Sequence, residues 1–236
     1  MKINNDIKSA LEFLSIPEKK EFFPKFFKAG KGEYAEGDQF IGVTVPDQRK
    51  IAKAFFNKIS LNELAELLSS KFHEHRLTAL LMLVLKYEKS ENLKEKETIV
   101  NFYLKNKKHI NHWDLVDASC YKILGRHAFE TENPDLLRKL SEEENMWSKR
   151  MAIVSTMYFI RKENFDLTKE LALKNLQHPH DLMHKANGWL LREMGKKNEQ
   201  ELLDFLEIYC KKMPRTSLRY AIERLDENLR QSFLKR

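Results

Sequence analysis

Apolar residues along this chain recur with the period of an α-helix. In RLTALLMLVLKY (76–87), LVDASCYKIL (115–124), RMAIVSTMYFI (150–160) and KANGWLLREM (185–194) they stand at i, i+3, i+4 and i+7, the spacing that gathers them on one helix side. No convincing strand pair is present. Stop and start signals separate the periodic stretches: Pro46 in VPDQRK, Ser60 before LNELAELL, Asn133-Pro134-Asp135 before LLRKL, and Pro214-Arg215-Thr216 before SLRYAI. The pattern predicts an all-α chain of about a dozen short helices.

A longer period lies over the helical one. Arg76, Arg150, Lys185 and Arg219 each open an apolar helix, and their separations are 74, 35 and 34 residues. Since 74 is twice 37, one basic residue is missing from the series, and position 113, where it would fall, holds Trp113. Repeats of roughly 34 to 47 residues built from paired helices mark an α-solenoid such as HEAT or TPR, in which each pair buries its face against its neighbours. The expected architecture is an α-solenoid of HEAT-like helical repeats, a single domain over 1–236 with an N-terminal helix pair (1–27), a Gly-rich loop (28–46) and repeats over 47–236. Corresponding helices would line one concave wall. Arg76, Arg150, Lys185 and Arg219 would form a basic stripe along it, with Trp113 and Asp117 in the middle.

The loop, KAGKGEYAEGDQFIGVTVP, holds four of the seven glycines, Gly30, Gly32, Gly37 and Gly42. It has no G-x-x-x-x-G-K-[ST] and no preceding strand, so a nucleotide cradle is not expected there.

Composition narrows the partners. Lys+Arg 42 against Asp+Glu 35 leaves a net charge of +7 and a pI near 9.2, which suits a polyanion or a solvated basic surface. The two cysteines, Cys120 and Cys210, lie 90 residues apart within apolar helical patterns, which favours buried thiols in a reducing compartment. No segment reaches the ~18 to 20 uninterrupted apolar residues of a membrane span, and the N-terminus lacks the apolar stretch of a signal peptide. A cytoplasmic protein is expected on this reading, acting as a monomer.

Three stretches could carry chemistry. In INHWDLVDASCYKIL (110–124), Val116, Ser119, Cys120, Ile123 and Leu124 share the expected core side, while Trp113 and Asp117 stack at its shoulder and Asp114 turns further toward solvent. Both aspartates also fit as ordinary first-turn charges, with Trp113 a packing residue. In ENMWSKRMAIVSTMYFI, Arg150 starts from the apolar side of its helix and needs a partner, a carboxylate or a phosphate. In HKANGWLLREMGKK, Lys185, Trp189, Arg192 and Lys196 follow at i, i+4, i+7 and i+11, three cations and an indole of the kind that serve a nucleic-acid backbone. His180 and His184 have i, i+4 spacing and HEH adds His73 and His75, but without H-E-x-x-H or a nearby cysteine they read as surface or capping histidines, and no metal or other cofactor is expected.

INHWDLVD, WSKRMAIVS and MHKANGWLLREMGK resemble the three signature helices of the AlkD-type DNA alkylation repair glycosylases, and KKMPRTSLRYAIERL and GEYAEGDQFIGVTVPDQRKIAK extend the likeness over nearly the whole chain. The resemblance implies a HEAT-like solenoid on duplex DNA that releases positively charged N3- or N7-alkylated purines without drawing the base into a pocket. It implies that Trp113 and Trp189 contact the lesion's deoxyribose, that Asp117 is the catalytic carboxylate, and that Arg150 lies beside the DNA backbone. Phe26 stands where the family has a third aromatic contact, a tyrosine, so the ring is kept and the hydroxyl lost; the alignment can also slip to Phe27. A relative that binds damaged or branched DNA without excision is the alternative, and a protein-binding scaffold a further one.

Overall fold

A computed structural model describes residues 3–236. The fold is all-α, of the HEAT-like helical-repeat class. Sixteen α-helices are formed among the described residues, with one isolated bridge, Gln39 to Phe72, in place of any sheet. The chain divides into two compact units, one ending at Ser119 and the other running from Cys120 to Arg236.

The first unit holds α1 (Ile3–Phe13), α2 (Pro17–Phe26), α3 (Val45–Phe55), α4 (Leu61–Leu68), α5 (His73–Lys89), α6 (Leu93–Lys105) and most of α7 (Trp113–Cys120). Its axis is α5, which packs against α1, α3, α4 and α6. Twelve consecutive residues of α5, His73 to Val84, are buried. A helix covered on every side has no polar back, which is why its sequence runs RLTALLMLVL without the usual interruptions. The Ser60 signal becomes a capping box, with Ser60 and Glu63 satisfying each other's backbone N–H groups at the start of α4. Thr44 caps α3, and Pro46 occupies its first turn.

The Gly-rich loop is ordered by a single carboxylate. Buried Glu74 accepts from the backbone N–H groups of Ile41, Gly42 and Val43 at 2.8 to 3.3 Å. Gly42 has φ +94°, and a Cβ there would lie 2.6 Å from the Ile16 carbonyl oxygen, so the position accepts glycine alone without rearrangement. Gln39 bonds through its backbone to Lys71 and His73, tying the loop to the entry of α5.

In the second unit, a π-helical turn (Tyr121–Gly125) leads to α8 (Arg126–Glu130), followed by α9 (Asp135–Glu142), α10 (Met146–Ser155), α11 (Met157–Arg161), α12 (Asp166–Lys174), α13 (Asp181–Lys197), α14 (Glu199–Tyr209), α15 (Arg215–Ala221) and α16 (Glu227–Lys235). Here the repeat is explicit: α10 packs on α9 and α13, and α13 packs on α12, α14 and α15. The helices that carry Arg150, Lys185 and Arg219 are thus successive neighbours. The approach of α13 to α15 requires Gly188, where a Cβ would meet the Ser217 carbonyl oxygen at 2.4 Å and the Tyr220 Cβ at 2.5 Å. Ion pairs between equivalent places repeat this spacing outside: Arg138 with Glu170 at 2.8 Å and Lys169 with Glu201 at 2.8 Å.

Candidate functional site

The predicted core side of the quoted helix is buried throughout: Val116, Ser119, Cys120, Ile123 and Leu124 are inaccessible. Cys210 is buried as well. Trp113 and Asp117 lie one turn apart on the half-exposed part of α7. The Trp113 indole packs in an aromatic group of the first unit, its ring centre 6.3 Å from Phe26, 5.7 Å from Phe27 and 5.5 Å from His112. Phe26 is 50% exposed and stacks on Phe22, whereas Phe27 is buried. Of the two rings that could answer to the family's tyrosine, Phe26 is the one at the surface.

Asp114 departs from expectation. It turns inward, its Oδ2 2.8 Å from His73 Nε2 and its Oδ1 2.6 Å from His112 Nδ1. The opposite nitrogens are also occupied: His73 Nδ1 faces Asp38 Oδ2 at 3.2 Å, and His112 Nε2 faces the Phe27 carbonyl oxygen at 3.3 Å. An aspartate in a helix's first turn is normally drawn to solvent and the dipole; here two imidazoles offer donors that water would otherwise supply. His73 and His75 are likewise buried rather than at the surface, since both lie on the fully covered α5. His180 does act as a cap, accepting from the Leu182 N–H at 3.1 Å.

Electrostatics follow from this burial. Desolvation pulls His73 down, but Asp114 and Asp38 outweigh it and push the imidazole up to about 9. Burial works against ionisation of Asp114 too, and the charge on His73 with the His112 hydrogen bond overcomes it, holding the carboxyl well below its usual range. Asp38 is held low in the same way, by His73 and Arg76 against its own desolvation. His75 lacks such a carboxylate; burial, with Lys8 nearby, depresses it to about 4. His73, His112 and Asp114 bring ligand-type atoms within 4.8 Å of one another. Both ring nitrogens of His73 face carboxylate oxygens, an arrangement that favours protons on both over lone pairs offered to a cation.

Arg76 is corrected by the structure. It is 5% exposed, and its guanidinium donates to Asp38 and, at 2.8 Å, to Asn111 Oδ1. A cation at the front of a helix that is enclosed on all sides ends up pairing internally, so Arg76 is not part of an accessible basic row. Arg150 is also buried, donating to the Leu182 carbonyl oxygen of α13 at 2.5 Å. Trp189 is half-exposed and lines a cavity of about 450 Å³ with Arg161, Lys196 and Lys197. Lys185 pairs with Asp181 at 2.7 Å, Arg192 with Glu223, and Lys196 with Glu193 at 2.7 Å; Arg219 is exposed.

The residues that sequence reading passed over are therefore Asp38, Asn111 and His112, while His73 and Asp114, expected at the surface, turn inward. A histidine and an aspartate flanking Trp113 as His-Trp-Asp were visible as a pattern. Asp38, in a loop with no periodicity, carried no signal of its own.

Comparison with known proteins completes the description. Residues 7–225 match the family described as DNA alkylation repair enzyme. No curated protein matches the chain. Among solved structures, a predicted DNA alkylation repair enzyme from Enterococcus faecalis is similar over 90% of this chain and 97% of its own, with a TM-score of 0.71 at 19% identity. At that identity the likeness establishes a common fold.

Proposed function

The chain belongs to the DNA alkylation repair enzyme family, and from that premise we propose that it is a DNA glycosylase releasing positively charged N3- or N7-alkylated purines from duplex DNA, with Asp117 as its catalytic carboxylate. The observation that carries this reading is the placement of Asp117 on the partly exposed side of α7, one turn from the Trp113 indole. Asp114, in the same helix, bridges His73 and His112. A carboxylate beside an indole at the surface is what a sugar with developing positive charge requires.

Alkylation at N3 or N7 gives the purine a positive charge, so it departs without needing a proton from a general acid. The C1′–N bond breaks, its electron pair neutralises the leaving base, and C1′ takes on oxocarbenium character. Asp117 stabilises that charge and orients the water that adds to C1′, receiving the water's proton. Trp113, Phe26 and Trp189 supply apolar planes to the deoxyribose. Lys185, Arg192, Lys196 and Arg219 are assigned to the phosphates by motif and charge, and Arg150, buried against the Leu182 carbonyl oxygen, by motif alone.

The reading as a DNA binder without excision draws on one observation, the missing hydroxyl at Phe26. The two are separated by incubating the protein with duplex DNA carrying one 7-methylguanine and following both salt-dependent binding and free base. Free base supports the glycosylase. Salt-sensitive binding with no free base identifies the non-catalytic binder, and no affinity for DNA leaves a protein-binding scaffold.

A further inference from the structure

A network of buried and part-buried hydrogen bonds lies under Trp113. Four segments meet there. Phe27, which closes α2, gives its carbonyl oxygen to His112. Asp38, from the Gly-rich loop, is shared by His73 and Arg76. Arg76 and His73, one turn apart on α5, reach Asn111 and Asp114 respectively. Asn111, His112 and Asp114 flank Trp113 on both sides in the chain. Asp38 joins the loop to α5, and the bonds from Phe27, Arg76 and His73 hold the start of α7, where Trp113 sits.

We propose that Asp114, bridging His73 and His112, is a positioning residue for the Trp113–Phe26 aromatic pair, and that the bridge requires His73 in its imidazolium form. Geometry favours the charge: a carboxylate oxygen lies at each ring nitrogen, at 3.2 and 2.8 Å, and a neutral His73 would have only the longer 3.4 Å approach of the Arg76 guanidinium to its bare Nδ1. The ring's surroundings favour it further. The His73 imidazole lies beside the stacked pair Phe27 and Phe40, 5.0 and 5.2 Å from their ring centres, and a cation near aromatic rings is stabilised by their quadrupoles. The charged and titratable groups that face it are Asp38 from the loop, Arg76 from its own helix, and Asp114 and His112 from the start of α7; α2 contributes the Phe27 ring. Tyr34 of the loop packs beyond, against His112 at 5.4 Å. Two anions surround the imidazole against one guanidinium, and His73 retains its proton to about pH 9.

The catalytic half of this inference rests on the glycosylase reading, whereas the positional half does not, and the two are read separately. In a chain whose remaining indole is Trp113 (Trp147→Phe with Trp189→Phe), acrylamide quenching reports how well that ring is held. Asp114→Asn is expected to raise the quenching constant about twofold or more, since an amide cannot accept from both imidazoles. Raising the pH of the same single-tryptophan protein from 7 to 10 should do likewise, with a midpoint near 9, and Asp114→Asn should abolish that dependence. The pH series involves no disruptive mutation, so it decides even if Asp114→Asn folds poorly. Quenching that stays flat to pH 10 overturns the proposal.

In the chain with all three tryptophans, Asp114→Asn should lower the rate constant of base release tenfold to a hundredfold, the order expected of a misplaced contact group, with duplex affinity unchanged. Unaltered release per folded molecule would show the network to be merely structural. If wild type releases no base at all, the glycosylase reading fails while the fluorescence arm still decides the positioning.

Discussion

Arg76 and Asp114 carry charges whose sequence positions mislead in the same direction. Each reads as a surface charge near a helix start, and each is folded inward against a partner from a distant segment. Removing one member of such a buried pair leaves the other uncompensated, so Arg76→Met is expected to cost about 3 to 5 kcal/mol of stability, read by urea unfolding, while leaving the DNA affinity of the folded protein unaltered. Arg219 is the opposite case. It is exposed, and Arg219→Ala should leave stability within about 0.5 kcal/mol while reducing the salt slope of DNA binding by about one. Swapped outcomes, with Arg219→Ala destabilising and Arg76→Met weakening DNA binding, would return Arg76 to the basic row. Sequence alone could not separate these two arginines, because both open an apolar helix; what differs is how many neighbours enclose that helix.

Among the elements, legibility tracked amphipathicity and local capping. Ser60, Pro46, Pro134 and Pro214 all fall at or beside the starts of α3, α4, α9 and α15, because caps and prolines act over a single turn and need no tertiary partner. The core side of α7 was likewise readable from its period. Order in the Gly-rich loop was not, since it is imposed from outside by Glu74 and by the bridge to Phe72, and the glycines that allow those contacts also read as flexibility. The repeat itself is visible where α10, α13 and α15 pack in succession, and one glycine sets how closely the last two approach. Gly188→Ala should destabilise by about 1 to 3 kcal/mol, as overpacking against main chain does. Chemical denaturation would show it as a lower midpoint with an unchanged slope, and a midpoint equal to wild type would mean that α15 gives way freely.

For the chain as a whole, the two buried histidines of α5 set opposing limits on pH. His73 is raised from 6.5 to about 9, so its contribution is complete below about pH 6.5 and is lost as the pH climbs through 9. His75 is lowered from 6.5 to about 4, so the folded state disfavours its protonation and stability declines as the pH falls from about 6.5 toward 4. Thermal unfolding should therefore peak between about pH 6 and 7, and His73→Gln should remove the alkaline decline; a midpoint still rising between pH 7 and 9 would contradict these assignments. Among the described residues no helix is long and apolar enough to cross a membrane, and the net charge of +7 is suited to a long polyanion. What such a partner would gain from this protein depends on one carboxylate. Single-turnover release of 7-methylguanine from a saturated duplex, compared between wild type and Asp117→Asn at equal DNA occupancy, tests that most directly. The variant is predicted to be slower by about a hundredfold to a thousandfold, the effect of losing one preorganised electrostatic group. Equal rates from the two proteins, or no release by wild type, would contradict it.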